Sequence, residues 1–395
     1  MTNSARDDAH RAPPSLGVVL REWGRIGCIG FGGPPTHIKL LRDLCVERRG
    51  WLGAREFEDA IAACNLLPGP ASTQLAIFCG WRVRGRLGAL VGGAAFILPG
   101  LVVILALAAL FLSGAPPRWV IGSGAGAGAA VPAVALQAGI TLLVASRRNG
   151  SQAGAQIRWL LYLAAGAAAA ATIGPWLVIV LLGCGGAELA VQSVQRDDGQ
   201  IRGIAAISLL LASAAGGGVL LPLSWVALKV GALSYGGGFV IIPLMQGDAV
   251  DRYHWMSGAD FLNGVALGQV TPGPVAHTVA VVGYAAAGLG GGLLAATVAF
   301  TPSFVFILLG GRHFDRLRGE PRVRAFLDGA GPAAIGAILG SAIALASAIS
   351  VPWQYAVLAG ATVVLLLLRQ SVVLTLIAAG GVGAVLAVAG GSLPT

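Results

Sequence analysis

The chain has 395 residues, 56% apolar and only 11% charged, against about 25% charged in ordinary soluble domains, which excludes a water-soluble globular protein. A net charge of +9 would suit a nucleic-acid partner in a soluble chain; in one this apolar, loop arginines that set membrane topology account for it, so membrane lipid and not nucleic acid is the expected surrounding. The five cysteines, Cys28, Cys45, Cys64, Cys79 and Cys184, form no CxxC pair, so no metal site, disulfide framework or cofactor is expected.

Residues 1–14 are polar and read as a short cytoplasmic tail, with no apolar core of a cleavable leader. A short apolar helix follows, carrying Arg25 and ending at Gly30-Phe31-Gly32-Gly33-Pro34. A basic loop over 39–55 leads to a segment over 56–84 that is interrupted by Pro68-Gly69-Pro70. Apolar runs at 87–112, 119–146, 159–172 and 175–191 approach or exceed the roughly 20 residues that span a bilayer as a helix. A linking helix at 204–221 precedes a second short helix with Lys229, which ends at Ser234-Tyr235-Gly236-Gly237-Gly238. Pro272-Gly273-Pro274 breaks the next apolar stretch, and runs at 289–311, 325–349, 355–368 and 371–389 complete the chain. The fold class is an all-α polytopic membrane protein with broken half-helices and about 9 to 13 membrane-embedded segments.

Sliding the chain on itself by 204 residues aligns Phe31-Gly32-Gly33 with Tyr235-Gly236-Gly237, Trp51 with Trp255, and the two Pro-Gly-Pro turns. From 31 to 76, 13 of 46 positions are identical without a gap, the mark of an internal repeat. The expected organisation is a first repeat at 15–200, a linking helix at 201–221 and a second repeat at 222–395. The arginines orient them. Lys39, Arg42, Arg48, Arg49 and Arg55 face a counterpart loop holding only Arg252 with Asp248 and Asp251. Later the bias reverses: Arg118 stands alone at 114–118, whereas 312–324 carries Arg312, Arg316, Arg318, Arg322 and Arg324. Positive loops are cytoplasmic, so the repeats are inverted, and the N-terminus is cytoplasmic. Inverted repeats with interrupted helices mark secondary transporters, with the site near the midplane and access alternating as one half rocks on the other.

Proline removes an N–H and clashes with the carbonyl four residues back, so each Pro-Gly-Pro ends one helix, turns at glycine and starts another. The free amides and positive dipole end of the new helix suit an anion. Gly69, Ser72, Thr73 and Gln74 stand at the first break and Gly273, His277 and Thr278 at the second. Asn65 and Gln269 precede the breaks at equivalent positions, with Thr271 beside the latter; their amides and hydroxyl can donate to an oxyanion. Arg25 and Lys229 are repeat equivalents, eight residues before Gly33 and Gly237. Cations at membrane depth are costly and usually functional, and two of them with two helix N-termini suit a divalent anion. His37, Glu56 and Asp260 are candidates for proton coupling, although Ser257 and Asp260 also have the spacing of a helix cap. Gly122, Gly124, Gly126 and Gly128 are read as a helix-packing run.

These motifs, in this order over nearly the whole chain, resemble the long two-domain form of the chromate ion transporter family. The resemblance rests on Phe31-Gly32-Gly33-Pro34 with His37, on Asn65, Pro68-Gly69-Pro70 and Gln74, and on Lys229, Gly236-Gly237-Gly238, Gln269 and Pro272-Gly273-Pro274. It implies an inner-membrane protein that exports chromate, driven by the proton gradient or membrane potential, with sulfate as a close analogue, and it implies tandem domains of opposite orientation. A homodimer is a candidate assembly. Two alternatives stand beside it: a transporter or exchanger of sulfate or another oxyanion, and, remotely, a membrane-embedded enzyme acting on lipid phosphates. The second would need a clustered nucleophile or metal carboxylates, which the sequence does not gather, so no enzyme is expected.

Overall fold

A computed structural model describes residues 14–67, 69–147, 153–172, 176–195, 218–234, 239–310 and 320–394. The N-terminal tail, Pro68, most of the linking segment at 201–221 and the four residues from Tyr235 to Gly238 lie outside the described residues. All regular structure among the described residues is helical.

In the first half these are α1 (Leu16–Ile29), α2 (Pro34–Arg42), which widens into a π turn at Asp43–Arg48, α3 (Ala54–Leu66), α4 (Ala71–Phe111), α5 (Arg118–Arg147), α6 (Ala153–Thr172) and α7 (Leu177–Gln195). In the second half come α8 (Leu220–Leu233), α9 (Ile241–Gln246), a π turn at Gly247–Arg252, α10 (Gly258–Val270) and a 3-10 turn at Val275–His277 that opens α11 (Thr278–Gly310). They continue with α12 (Pro321–Ser347), α13 (Pro352–Thr362), a π turn at Val363–Leu367 and α14 (Val372–Val388). The stretches 71–111, 118–146, 275–310 and 321–347 are long and apolar enough to cross a membrane. Large apolar side chains such as Val102, Leu309, Ile343 and Val385 point outward, as lipid-facing surfaces require.

Local geometry recurs at the repeat spacing or one residue short of it. The π turns at Asp43–Arg48 and Gly247–Arg252 are 204 residues apart. Inside α4 the helix breaks at Arg84 (φ −144°, ψ 25°) and Gly85 (φ 64°, ψ −154°), and inside α11 it breaks with nearly the same angles at Ala287 (φ −152°, ψ 34°) and Gly288 (φ 60°, ψ −156°). A positive φ costs a side-chain-bearing residue energy that glycine avoids. Gly80 then meets Gly88, and Gly283 meets Gly291, backbone to backbone. The chain therefore turns back on itself at each break. α3 with the start of α4, and α10 with the start of α11, are hairpins of short helices.

The two halves interleave. α1 packs on α4, α8 on α11, and α4 on α11. The remaining long helices cross over: α6 and α7 of the first half pack on α12 of the second, while α13 and α14 of the second pack on α5 of the first. Glycines allow backbones to touch at these crossings: Gly166 with Ala333, Gly336 with Leu163, Gly340 with Ala167, and Gly329 with Cys184. The glycine run in α5 divides between two neighbours. Gly122 and Gly126 meet Gly383 and Ala379 of α14, whereas Gly124 and Gly128 meet Asn263 of α10. Trp23, Phe57, Phe96 and Phe261, all fully buried, form the core around the broken helices.

Candidate functional site

Both breaks have the geometry their prolines dictate. α3 ends before Leu67 (φ −79°, ψ 144°), Gly69 takes φ 123°, and Pro70 in extended conformation leads into α4. α10 ends before Thr271 (φ −84°, ψ 148°), Gly273 takes φ 90°, and Pro274 leads into the turn at Val275. Each turn rests on the opposite half. The Gly273 N–H donates to the carbonyl of Gly30 at 3.0 Å, and Pro272 lies so close to Gly100 that a side chain there would strike its carbonyl. Around Gly69 stand the Ser303 hydroxyl and the Gly231 carbonyl, 3.2 and 3.3 Å from where a Cβ would sit.

His37 ties the first break together. Its Nε2 lies 2.9 Å from the Gly30 carbonyl and its Nδ1 3.2 Å from Ser72 Oγ. A carbonyl only accepts, so Nε2 carries a hydrogen, and in the neutral ring Nδ1 accepts from the Ser72 hydroxyl. The neutral ring thereby joins the end of α1 to the starts of α2 and α4. His277, at the second break, is fully buried and stands edge-on to Phe300 at 5.3 Å. It fills the space beside Gly100 and Gly273.

A cavity of about 1390 Å³ lies beside the breaks. One wall is made of Gly32, Gly33, Pro34, Asn65, Gln269 and Val275, from the ends of α1, α3 and α10 and the starts of α2 and α11. The other is made of α5, α6, α7 and α12, with Gln137, Thr141, Arg158, Tyr162, Glu188 and Asp328. Gly32 (φ 93°) and Gly33 (φ 75°) make the turn into α2, and Gly33 approaches Val275 of the opposite half. Asn65 and Gln269, last-turn residues 204 positions apart, both open into this one cavity. Asn65 is exposed in it; Gln269 is nine-tenths buried, and its Nε2 has no hydrogen-bond partner among the described residues.

The other sequence candidates are placed differently. Ser72, Thr73, Gln74, Thr271, His277 and Thr278 are buried behind the cavity wall. Thr271 and Thr278 donate to the carbonyls of Leu267 at 2.8 Å and Val275 at 2.9 Å. Lys229 is 6% exposed and forms an ion pair with Asp248, which is fully buried; its ammonium also lies 5.9 Å from the Trp225 ring centroid. Arg25, its repeat equivalent, is exposed, as a cation that snorkels to an interface is. Glu56 pairs with Arg82. Asp260 forms a capping box, accepting from Ser257 N at 3.3 Å while its own N–H donates to Ser257 Oγ at 3.1 Å. Phe31 is partly exposed, at 44%, just beyond the end of α1.

Two groups went unmarked in the sequence. Asp248 lies 19 residues beyond Lys229; the sequence showed it only as one of the two acids, with Asp251, in the loop that carries Arg252. On the far wall, Arg158 holds Glu188 with two hydrogen bonds at 2.8 and 3.0 Å, and Tyr162 and Gln192 donate to the same carboxylate at 3.1 and 3.0 Å. Glu188 is thus a buried carboxylate with its charge compensated by a bidentate arginine.

Long apolar helices, two broken hairpins and a polar cavity between packed helix groups define a multi-pass helical membrane transporter. The chain belongs to the chromate transporter family, whose model matches it twice, over residues 18–187 and 221–385. It is 32% identical over 388 residues to a chromate transport protein of Cupriavidus metallidurans, covering 95% of this chain and 94% of the other. It is 31% identical over 363 residues to a chromate transport protein of Pseudomonas aeruginosa, covering 87% and 84%, and 28% identical over 339 residues to a probable chromate transport protein of Synechococcus elongatus, covering 84% of each. No solved structure matches the chain.

Proposed function

We propose that the protein exports chromate across the inner membrane by alternating access, using two inverted repeats at 15–200 and 222–395. The observation that carries this reading is the convergence of the repeat-equivalent amides Asn65 and Gln269 on one cavity. A tetrahedral dianion entering it would accept hydrogen bonds from both amides, and the unpartnered Gln269 Nε2 is a donor already desolvated for that purpose. Ser72, bonded to His37, and Thr278, bonded to the Val275 carbonyl, hold the half-helices at the angle that presents those amides, with Thr73 and His277 packed beside them. The Lys229–Asp248 pair holds α8 against the π turn at Gly247–Arg252.

The cavity runs toward the end of the bundle where α5 stops and α6 and α12 begin, reaching Ser146, Gln156 and Arg324. Arg147 at the end of α5 and Arg322 and Arg324 at the start of α12 lie at that end, so by the positive-inside rule it faces the cytoplasm, the side from which an exporter loads. The interior-negative potential favours outward movement of a dianion, and proton coupling adds to it. Sulfate has the same shape and charge and competes at the same amides.

The test is uptake of labelled chromate and of labelled sulfate into everted membrane vesicles, with a potential or a pH gradient imposed separately. Accumulation of chromate that responds to the imposed potential supports the reading. Accumulation of sulfate with none of chromate would replace it by the sulfate alternative.

A further inference from the structure

The helices sort into two bodies that do not coincide with the two sequence halves. The first body contains α1–α4 and α8–α11. It holds both Pro-Gly-Pro breaks, both turn-back hairpins, and Asn65 and Gln269. Its parts lock across the halves: Gly273 N–H to the Gly30 carbonyl at 3.0 Å, Gly69 beside Gly231 and Ser303, and Gly100 against Pro272. The second body contains α5–α7 and α12–α14. Backbone contacts through Gly122, Gly126, Gly166, Gly329, Gly336 and Gly340 fasten it, each joining helices of different halves.

Backbone-to-backbone contacts of this kind leave no room for shear, because packed interiors resist deformation. Rocking one sequence half against the other would have to break them in both bodies at once. The boundary between the bodies is different. The cavity occupies much of it, with one wall from each body. The direct contact of α10 with α5 seats Leu262 and Asn263 against Gly124 and Gly128, and Val240 and Leu244 pack among Ala333, Ala337 and Ile338 of α12; these are side-chain contacts, which can re-pack, and not backbone locked on backbone.

We propose that the unit that moves during transport is the body of α1–α4 and α8–α11, carrying Asn65 and Gln269 with the anion, against a fixed frame of α5–α7 and α12–α14. The seam lies along the cavity and the α10–α5 and α9–α12 contacts. Small relative displacements of packed bodies across such a seam are the shear form of domain motion. The connection from α4 to α5, which contains Ser113, Gly114, Pro116 and Pro117 without helix, joins carrier to frame and must take up the displacement. This inference rests on the transport reading above, and the first arm of its test has a readout that does not.

Two spin-label pairs separate the alternatives, using exposed positions on α4, α6 and α12, in protein whose native cysteines are replaced by alanine and which is reconstituted in lipid. Leu90→Cys with Ile157→Cys joins two positions of the same half but of different bodies. Ile157→Cys with Ile343→Cys joins different halves within the frame. The expected result is a distance distribution with two populations for the first pair and one for the second. The reverse pattern, or a single distance in both pairs, or two in both, overturns the proposal.

The second arm uses cross-links. Gly258→Cys with Ala348→Cys would bridge the seam, since the Cβ positions lie 3.1 Å apart; Ala127→Cys with Gly380→Cys would bridge α5 and α14 within the frame at 3.7 Å, the usual disulfide Cβ separation. Oxidation should lower chromate transport about tenfold or more in the first variant, with recovery on reduction, and leave the second unchanged, as gating of turnover by a moving element requires. Transport that survives the seam cross-link, or that is lost with the frame cross-link, overturns the proposal. Absence of chromate transport in the reduced protein would count instead against the substrate reading, with the label distances still deciding the motion.

Discussion

Lys229 and Asp248 allow the sharpest perturbation of the interior. The ion pair joins α8 to the π turn at Gly247–Arg252, with side-chain exposures of 6% and 0%. Lys229→Gln removes the ammonium and leaves the Asp248 carboxylate, among the described residues, facing only the cation of Arg252, 4.0 Å away and itself 41% exposed. Breaking a buried pair by removing one partner costs about 3–5 kcal/mol, between roughly two and four powers of ten in the folded-to-unfolded ratio at about 1.4 kcal/mol per tenfold. Lys229→Gln and Asp248→Asn should therefore each lower the denaturation midpoint in detergent. The double variant removes both charges and should recover most of the loss, with a coupling energy of about 2 kcal/mol or more where unrelated sites couple by less than about 0.5. The assay is thermal or denaturant unfolding of purified protein, beside immunodetection in the membrane fraction to confirm insertion. Chromate export should fall in Lys229→Gln, because Gly231, half a turn beyond Lys229, lies against the first break. Additive single-variant effects, or full chromate resistance in cells carrying Lys229→Gln, would refute the reasoning.

Other positions give equally direct outcomes. Gly273→Ala places a Cβ at φ 90°, 3.0 Å from His277 Cε1; the left-handed conformation alone costs about 1–2 kcal/mol, so stability and transport should both drop, as a melting curve and a vesicle assay will register. Asp260→Ala removes one side of the capping box at the start of α10 and should cost about 1 kcal/mol while leaving the pH profile of transport unchanged; a displaced profile would restore Asp260 as a proton carrier. Gly336→Val forces a side chain onto the Leu163 carbonyl and should destabilise the α6–α12 contact by about 1–3 kcal/mol, measured as a lowered midpoint with α1–α4 contacts untouched.

Much of the fold was legible because proline and glycine constrain backbone locally. The two Pro-Gly-Pro turns and the spacing of 204 fixed where helices stop and restart, and the same register reappears in the paired π turns at Asp43–Arg48 and Gly247–Arg252. Asn65 and Gln269 were legible as equivalent helix-end residues for the same reason. The crossing of α6 and α7 onto α12 was not legible. In lipid, helix partners are selected by small residues, and 60 glycines are spread over too many faces to reveal which pairs meet. Equivalent sequence positions also diverged: Arg25 is exposed and Lys229 buried, because an acid from a distant turn reaches only the second. Asp248 could not be paired with Lys229 by local spacing, since their contact depends on how α8 lies against the π turn.

The central claim is that Asn65 and Gln269 together hold the anion. It is tested most directly by the concentration dependence of labelled chromate transport in proteoliposomes containing Asn65→Leu, Gln269→Leu or both. Each amide lost to a charged acceptor should cost about 1.5–3 kcal/mol. The account therefore predicts about a tenfold to hundredfold weaker apparent affinity for each single variant, and no measurable transport by the double variant at full membrane insertion. Wild-type affinity and rate in the double variant would contradict it.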